Sequence, residues 1–145
     1  MTTGPVLLDS DTLSEISRGH TKVTERTRTY LGAHGRLTIS AVSVFERLRG
    51  YRAALRLGKP FEVQLRQFEM FVAACIVLPV DGLVADRAAT IWTELGARGR
   101  QAIGDILIAA TASAHGLALV TRNRRDFAPM VMIEGIDVPL LDWAK

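Results

Sequence analysis

Cysteine and long apolar runs are nearly absent from this chain. Cys75 is the single cysteine, so no internal disulfide can form, and its apolar neighbours predict a buried thiol. No apolar run reaches the length of a membrane span, so we expect no membrane partner. The N-terminus has no basic segment followed by an apolar one, which argues against a signal peptide. These absences predict a cytoplasmic protein.

Histidine and lysine are also scarce. The three histidines, His20, His34 and His115, are scattered, so no histidine–cysteine cluster indicates a transition-metal site. Arginine supplies 15 of the 18 basic residues and lysine only 3. Arginine binds phosphate through two hydrogen bonds and would suit a nucleic-acid partner. The base composition of the gene explains the same bias, so arginine content alone decides nothing.

The remaining composition is that of an ordinary globular domain. The chain has 145 residues, of which 48% are apolar and 23% charged, with a net charge of +3. This length fits one domain over residues 1–145 with a substantial core. No repeat, low-complexity tract or linker divides the chain.

Short apolar segments alternate with segments of helical periodicity. We predict strands at 5–9, 36–40, 76–79 and 117–121, with one more near 131–138. We predict helices at 11–18, 21–33, 42–57, 61–72, 83–98 and 105–115. Apolar strands separated by helices indicate an α/β fold, in which a parallel sheet is covered on both faces.

Polar residues follow these strands at the edge where ligands bind in parallel sheets. Asp9 ends the first strand, and Ser40 ends the second, with Glu46 one or two helical turns later. The segment Thr121-Arg122-Asn123 ends the strand at 117–121, and Asp126 follows it. Asp105 begins the helix before that strand, and its position at this edge depends on how the helix packs.

Each acid also has a structural interpretation. Asp9 or Asp11 could cap the first helix, and Asp105 is placed where the helix dipole favours an acid. Ser43 and Glu46 have the spacing of a capping box, and Asp126 could cap a turn. Taken singly, each acid is as well explained by structure as by function.

Taken together, the four acids Asp9, Glu46, Asp105 and Asp126 favour function. Carboxylates converging on one edge would repel one another and have raised pKa values unless a cation neutralised them. Mg²⁺ prefers oxygen ligands, binds one or two carboxylates directly and keeps several waters. Such an ion can activate a water and stabilise charge on a phosphoryl oxygen. The pattern therefore indicates hydrolysis of a phosphate ester.

Four motifs then match a known family in order. They are LLDSDTLSEI (7–16), TISAVSVFERLRG (38–50), GRQAIGDILIAATASAHG (99–116) and TRNRRDF (121–127). The sequence resembles a PIN-domain ribonuclease of the VapC toxin type. The resemblance implies a three-layer α/β/α fold with a mostly parallel sheet. It also implies an endoribonuclease that depends on Mg²⁺ or Mn²⁺ and leaves a 5′-phosphate and a 3′-hydroxyl after attack by a metal-bound water.

The resemblance also implies roles for residues. Asp9 and Asp105 would be the main metal ligands, and Glu46 the third acid. Asp126 and Asn123 both lie in the motif that supplies the fourth position, and we rank Asp126 first. The implied supporting residues are Ser10, Asp11, Ser40, Thr121 and Asn123. Weaker RNA contacts are implied for Arg122, Arg124 and Arg125.

Two adjacent positions depart from the family pattern, which has Thr-Asn where this chain has Ser10-Asp11; Ser10 keeps the hydroxyl, whereas Asp11 replaces a neutral amide by a charge. Asp11 either caps the helix, the interpretation we favour, or adds negative charge at the metal.

Toxins of this type are neutralised by a VapB-like antitoxin, for which residues 11–31 and 42–72 could form a groove. Candidate contacts are Leu13, Ile16, Tyr30 and Leu31, unless these are core residues. By the same analogy, a homodimer would use Trp92, Leu95 and the 42–57 helix.

Three other interpretations compete. A haloacid-dehalogenase-type phosphatase would use Asp9 as nucleophile and Asp11 as acid and base, but its late Gly-Asp-x-x-x-Asp pair is missing, since positions 109 and 110 are both alanine. A binding protein with a dead nuclease site predicts missing acids, whereas all the expected positions are filled. A PIN nuclease of RNA maturation would share the site and lack the antitoxin.

Overall fold

The chain builds a five-stranded parallel sheet. The computed structural model describes residues 4–99 and 102–145. The strands are Val6–Leu8 (β1), Thr38–Ser40 (β2), Ile76–Leu78 (β3), Ala118–Val120 (β4) and Leu140–Leu141 (β5). Their order is β3-β2-β1-β4-β5, and every neighbouring pair is parallel. The predicted α/β class is confirmed.

Helices fill the connections between the strands. They are Ser10–Arg18 (α1), Thr21–His34 (α2), Ala41–Arg56 (α3), Glu62–Ala74 (α4), Gly82–Gly99 (α5), Ile103–Ala114 (α6) and Arg124–Val131 (α7). The first six match the predicted helices within a few residues at each end. Helix α5 is interrupted at Gly96, whose φ of 67° lies in the left-handed region. No helix among the described residues is long and apolar enough to cross a membrane.

The strand predicted near 131–138 is wrong. The chain there completes α7 and then turns at Gly135, where φ is 89°. The fifth strand begins later, at Leu140, and pairs with β4. The apolar residues that suggested a strand are buried without a ladder, since Ile136 and Val138 belong to the core. The apolar residues of this segment therefore reflect burial in the core and not strand formation.

Two separate cores lie on the two faces of the sheet. Successive β1 residues point to opposite faces; Leu7 packs with Ile91 and Ile108 on one face. Val6 and Leu8 pack with residues of α1 and α2 on the other, among them Leu13 and Tyr30. The three layers are therefore helix, sheet and helix. The same arrangement brings the carboxyl ends of β1, β2 and β4 together at one edge.

Candidate active site

Asp9 lies at the end of β1 and is 4% exposed. It is the N-cap of α1, and its Oδ1 accepts a hydrogen bond from the Ser10 backbone N–H at 2.7 Å. Its Oδ2 accepts another from the Thr121 hydroxyl at 2.8 Å. Because Thr121 follows β4, two neighbouring strands fix this carboxylate. The sequence prediction placed both residues at this edge.

Glu46 faces α1 rather than its own helix terminus. Ser40 is the N-cap of α3, and its hydroxyl accepts hydrogen bonds from the N–H groups of Val42 and Ser43 at 2.9 and 3.4 Å. The capping-box interpretation of Ser43 and Glu46 is therefore wrong. The Ser10 hydroxyl instead donates to Oε1 of Glu46 at 3.0 Å and lies 3.0 Å from the Ser43 hydroxyl.

Asp105 lies in the first turn of α6, where the packing of the helix brings it to the same edge. Its pKa is raised to about 6, first by burial and then by the negative charges of Glu46, Asp126 and Asp11. Three acids from three different elements thus act on one carboxylate. A structural cap would instead have its charged form stabilised by backbone N–H groups.

The pKa of Asp9 is raised further, to about 7. Burial is the largest cause, the Asp11 carboxylate is the second, and Asp105 adds a smaller contribution. The hydrogen bonds from Thr121 and Ser10 oppose this rise without cancelling it. Both predicted metal ligands therefore lie in surroundings that disfavour their negative charge.

Asp11 is not the helix cap that we favoured, because Asp9 occupies that position. Its carboxylate reaches across to the β4 end of the sheet. Oδ2 accepts hydrogen bonds from the Arg122 backbone N–H at 3.2 Å and from the Thr121 hydroxyl at 3.3 Å. Asp11 therefore connects α1 to the loop after β4 and adds a fifth negative charge to the site.

Asp126 and Asn123, the two candidates for the fourth position of the site, lie next to each other. They belong to α7 and its N-terminus, a helix that the sequence analysis did not predict. The Asn123 side-chain amide donates to Oδ2 of Asp126 at 2.9 Å. Asp126 is exposed and near enough to Asp105 to raise the pKa of that residue. The geometry thus makes Asp126 the charged member of the pair and Asn123 its hydrogen-bond donor.

The three predicted RNA-contact arginines are exposed and differ in their partners. Arg122 pairs with Glu15 at 3.2 Å, and Arg124 donates to the Leu140 carbonyl at 3.4 Å. The sequence analysis missed Glu15, a buried acid that also pairs with Arg18 at 3.1 Å. Its i,i+3 spacing to Arg18 was the available signal.

The donor set fits a hard divalent cation bound largely through water. No three acidic, histidine or cysteine side chains within residues 4–99 and 102–145 are close enough together to form a complete ligand group. Mg²⁺ commonly binds only one or two carboxylates directly. Asp9 and Asp105 could provide these, since a cation would offset the burial and the repulsion that raise both pKa values.

A sequence model of the PIN domain matches residues 6–130. The chain belongs to the PIN-domain family. Membership favours the nuclease interpretation over the phosphatase one. In the structure, the Asp11 carboxylate that the phosphatase interpretation needs as acid and base accepts hydrogen bonds from Thr121 and Arg122. No curated protein matches the sequence.

Several solved structures share this PIN fold. A chain of the DNA-bound VapBC complex from Salmonella typhimurium is 26% identical, with a TM-score of 0.75 over 97% of this chain and 99% of that one. FitAB bound to the IR36 DNA fragment is also 26% identical, with a TM-score of 0.69 over 97% and 96%. VapBC-1 from nontypeable Haemophilus influenzae reaches a TM-score of 0.78 over 98% and 100% at 21% identity, which shows the fold alone.

Proposed function

We propose that this chain is the toxin of a toxin–antitoxin pair and acts as a metal-dependent endoribonuclease. The observation that carries the proposal is the set of carboxylates at the carboxyl edge of the sheet, three of which raise the pKa of Asp105. The PIN-domain match supports nuclease chemistry. The likeness to the VapBC chain over almost the whole of both proteins supports the toxin role.

In this proposal, Asp9 and Asp105 hold Mg²⁺ or Mn²⁺, and Glu46 and Asp126 lie beside the ion. The bound ion would supply water activation and charge stabilisation on the phosphoryl oxygens. Thr121 and Ser10 orient the Asp9 carboxylate by the hydrogen bonds described above. Burial of Asp9 keeps bulk water from this carboxylate, which strengthens its attraction to a cation.

The RNA strand would lie in an open cleft of about 650 Å³ between α3 and α6. Glu46 and Asp105 line one part of this cleft, and Phe45 and Arg49 line another. Phe45 is 59% exposed, and the Arg49 guanidinium lies 5.3 Å from its ring centroid. An exposed ring suits base stacking and an arginine suits phosphate binding. The exposed Arg124 and Arg125 would contact phosphates beside the acids.

The purified protein is expected to cut single-stranded RNA with Mg²⁺ or Mn²⁺ and to stop when EDTA removes the ion. Expression without an antitoxin is expected to arrest growth of the host. Chelator-resistant cleavage would contradict the metal role. Normal growth together with cleavage of one defined precursor RNA would favour an RNA-maturation nuclease instead.

The antitoxin would bind a groove formed by α1, α3 and α4. This groove encloses about 220 Å³ and is lined mainly by apolar and aromatic side chains, among them Leu13, Ile16, Tyr51, Phe68 and Phe71. Of the predicted contacts, Leu13 and Ile16 line this groove, but Leu13 is only 3% exposed and belongs to the core, which leaves Ile16 as the better contact. Tyr30 packs on Trp143 in the core, and Leu31 is 38% exposed but does not line the groove.

Filling this groove is expected to weaken antitoxin binding. Ser17 is exposed at its edge, so Ser17→Trp adds bulk there without disturbing the core. Thr29→Trp, on the exposed side of α2, adds a similar bulk elsewhere. Calorimetric titration with the partner encoded beside the gene should show at least a roughly tenfold loss for Ser17→Trp only. Equal affinities for both variants would remove this groove from the proposal.

A homodimer stays part of the proposal. Trp92 is 37% exposed, and Leu95 is partly buried against the core of its own chain. Sedimentation equilibrium would measure the mass, and a monomer at tens of micromolar protein would contradict the dimer.

A further inference from the structure

Gly104 lies directly before Asp105, and the Glu46 carboxylate occupies the space where a side chain at this position would be. A Cβ atom added to Gly104 would lie 2.6 Å from Oε2 of Glu46 and 3.4 Å from its Cδ. The first distance is far below a normal carbon–oxygen contact. The bare Cα is therefore what leaves room for this acid beside Asp105.

The other oxygen of Glu46 is fixed from the opposite side. The Ser10 hydroxyl donates to Oε1 at 3.0 Å, while Oε2 lies against Gly104. We infer that Gly104 is a positioning residue, whose missing side chain lets Ser10 hold the Glu46 carboxylate next to Asp105. This inference rests on the proposed function.

Backbone conformation does not explain this glycine. Gly104 lies within α6, and it is not among the described glycines with positive φ. Glycine is a poorer helix former than alanine, and Gly104, in the first turn of α6, is not the N-cap residue either. The atom that an alanine would displace is the end of a flexible side chain, so the fold can accommodate the change while the carboxylate cannot stay. Space for Glu46 is the remaining reason.

The test is Gly104→Ala, compared with Gly50→Ala. Gly50 also lies in a helix, α3, and a Cβ added there meets nothing within 4 Å. Mn²⁺ affinity, measured by electron paramagnetic resonance, is expected to fall roughly 10- to 100-fold in Gly104→Ala, as for other residues that orient metal-site groups. RNA cleavage is expected to fall in the same range. Gly50→Ala is expected to match the parent in both measurements.

A double-mutant cycle then shows whether Gly104 acts through Glu46. In a Glu46→Ala background, Gly104→Ala is expected to change Mn²⁺ affinity less than twofold. There it should raise the thermal midpoint by roughly 1–3 °C, because the first turn of the helix gains alanine with no carboxylate in the way. With Glu46 present, that gain should be smaller or absent.

Two results would overturn the inference. One is Gly104→Ala binding Mn²⁺ and cutting RNA as well as the parent. The other is an equal rise in thermal midpoint with and without Glu46. The thermal comparison needs no nuclease activity, so it tests the contact even in a parent that neither binds Mn²⁺ nor cuts RNA. Such a parent would contradict the proposed function instead.

Discussion

Asp105→Asn is expected to reduce RNA cleavage on the order of a thousandfold, the loss typical of removing a group that stabilises charge at a reacting centre. The substitution keeps the shape of the side chain and removes its negative charge. In the parent, Glu46, Asp126 and Asp11 all raise the pKa of this residue. Asparagine relieves that repulsion, so folding should be retained while the attraction for a divalent cation is lost.

The control is Asp86→Asn, since Asp86 is an exposed acid on α5. Both variants change the net charge equally, so a general electrostatic effect on RNA binding would affect them alike. Circular dichroism would check the fold, and initial rates on a labelled RNA would measure cleavage. Parent-like cleavage by Asp105→Asn with Mg²⁺ present would show that the site has been wrongly assigned.

The positions of Asp9, Ser40 and Thr121 could be predicted because each ends a parallel strand. Strands β1, β2 and β4 are adjacent and run in one direction, so their carboxyl ends share an edge whatever the helices do. Asp105 could not be placed this way, because its position depends on how α6 packs. Tertiary packing is the part of the fold that sequence periodicity does not encode.

The roles of short-range motifs were harder to predict. Ser43 and Glu46 have capping-box spacing, yet Ser40 caps the helix, and the Glu46 carboxylate accepts a hydrogen bond from the Ser10 hydroxyl instead. Asp9 and Asp11 are both good capping residues, and only one can occupy the N-cap. Local sequence rules give several acceptable partners for such side chains, and contacts between distant elements choose among them.

Gly104 and helix α7 escaped the analysis for different reasons. A glycine beside an acid carries no periodic signal, and its importance appears only when α3 is placed against α6. Helix α7 has only eight residues and contains Pro129, so it is too short to show a clear helical periodicity in the sequence.

Asp9→Asn is expected to stabilise the protein without divalent ions at pH 8, although it should abolish activity. Burial and the Asp11 carboxylate raise the pKa of Asp9 in the folded protein to about 7, against 3.8 for an unperturbed aspartate. A raised carboxyl pKa means that the protonated form is favoured by folding. The parent therefore loses stability as the pH rises from about 4 to about 7, whereas the asparagine variant has no such group.

The size of this effect follows from the pKa difference. Between pH 5 and pH 8 it corresponds to on the order of 3 kcal/mol, since about two units of pKa difference lie in that range and one unit is worth about 1.4 kcal/mol. Urea unfolding in EDTA at pH 5 and pH 8 would measure it as the difference between variant and parent. Asparagine is also a good N-cap, so the start of α1 is preserved in the comparison.

Adding Mn²⁺ should reverse the order of stability at pH 8. The ion binds the ionised parent and stabilises it by an amount that grows with the logarithm of the ion concentration above the dissociation constant. The variant lacks one ligand and should gain little. A carboxylate whose charged form is stabilised by folding would behave in the opposite way, because the parent would then gain stability relative to the asparagine variant as the pH rises. Equal pH dependence of parent and variant would mean that folding does not shift the pKa of Asp9, and the metal site would then have to be sought around Asp105 alone.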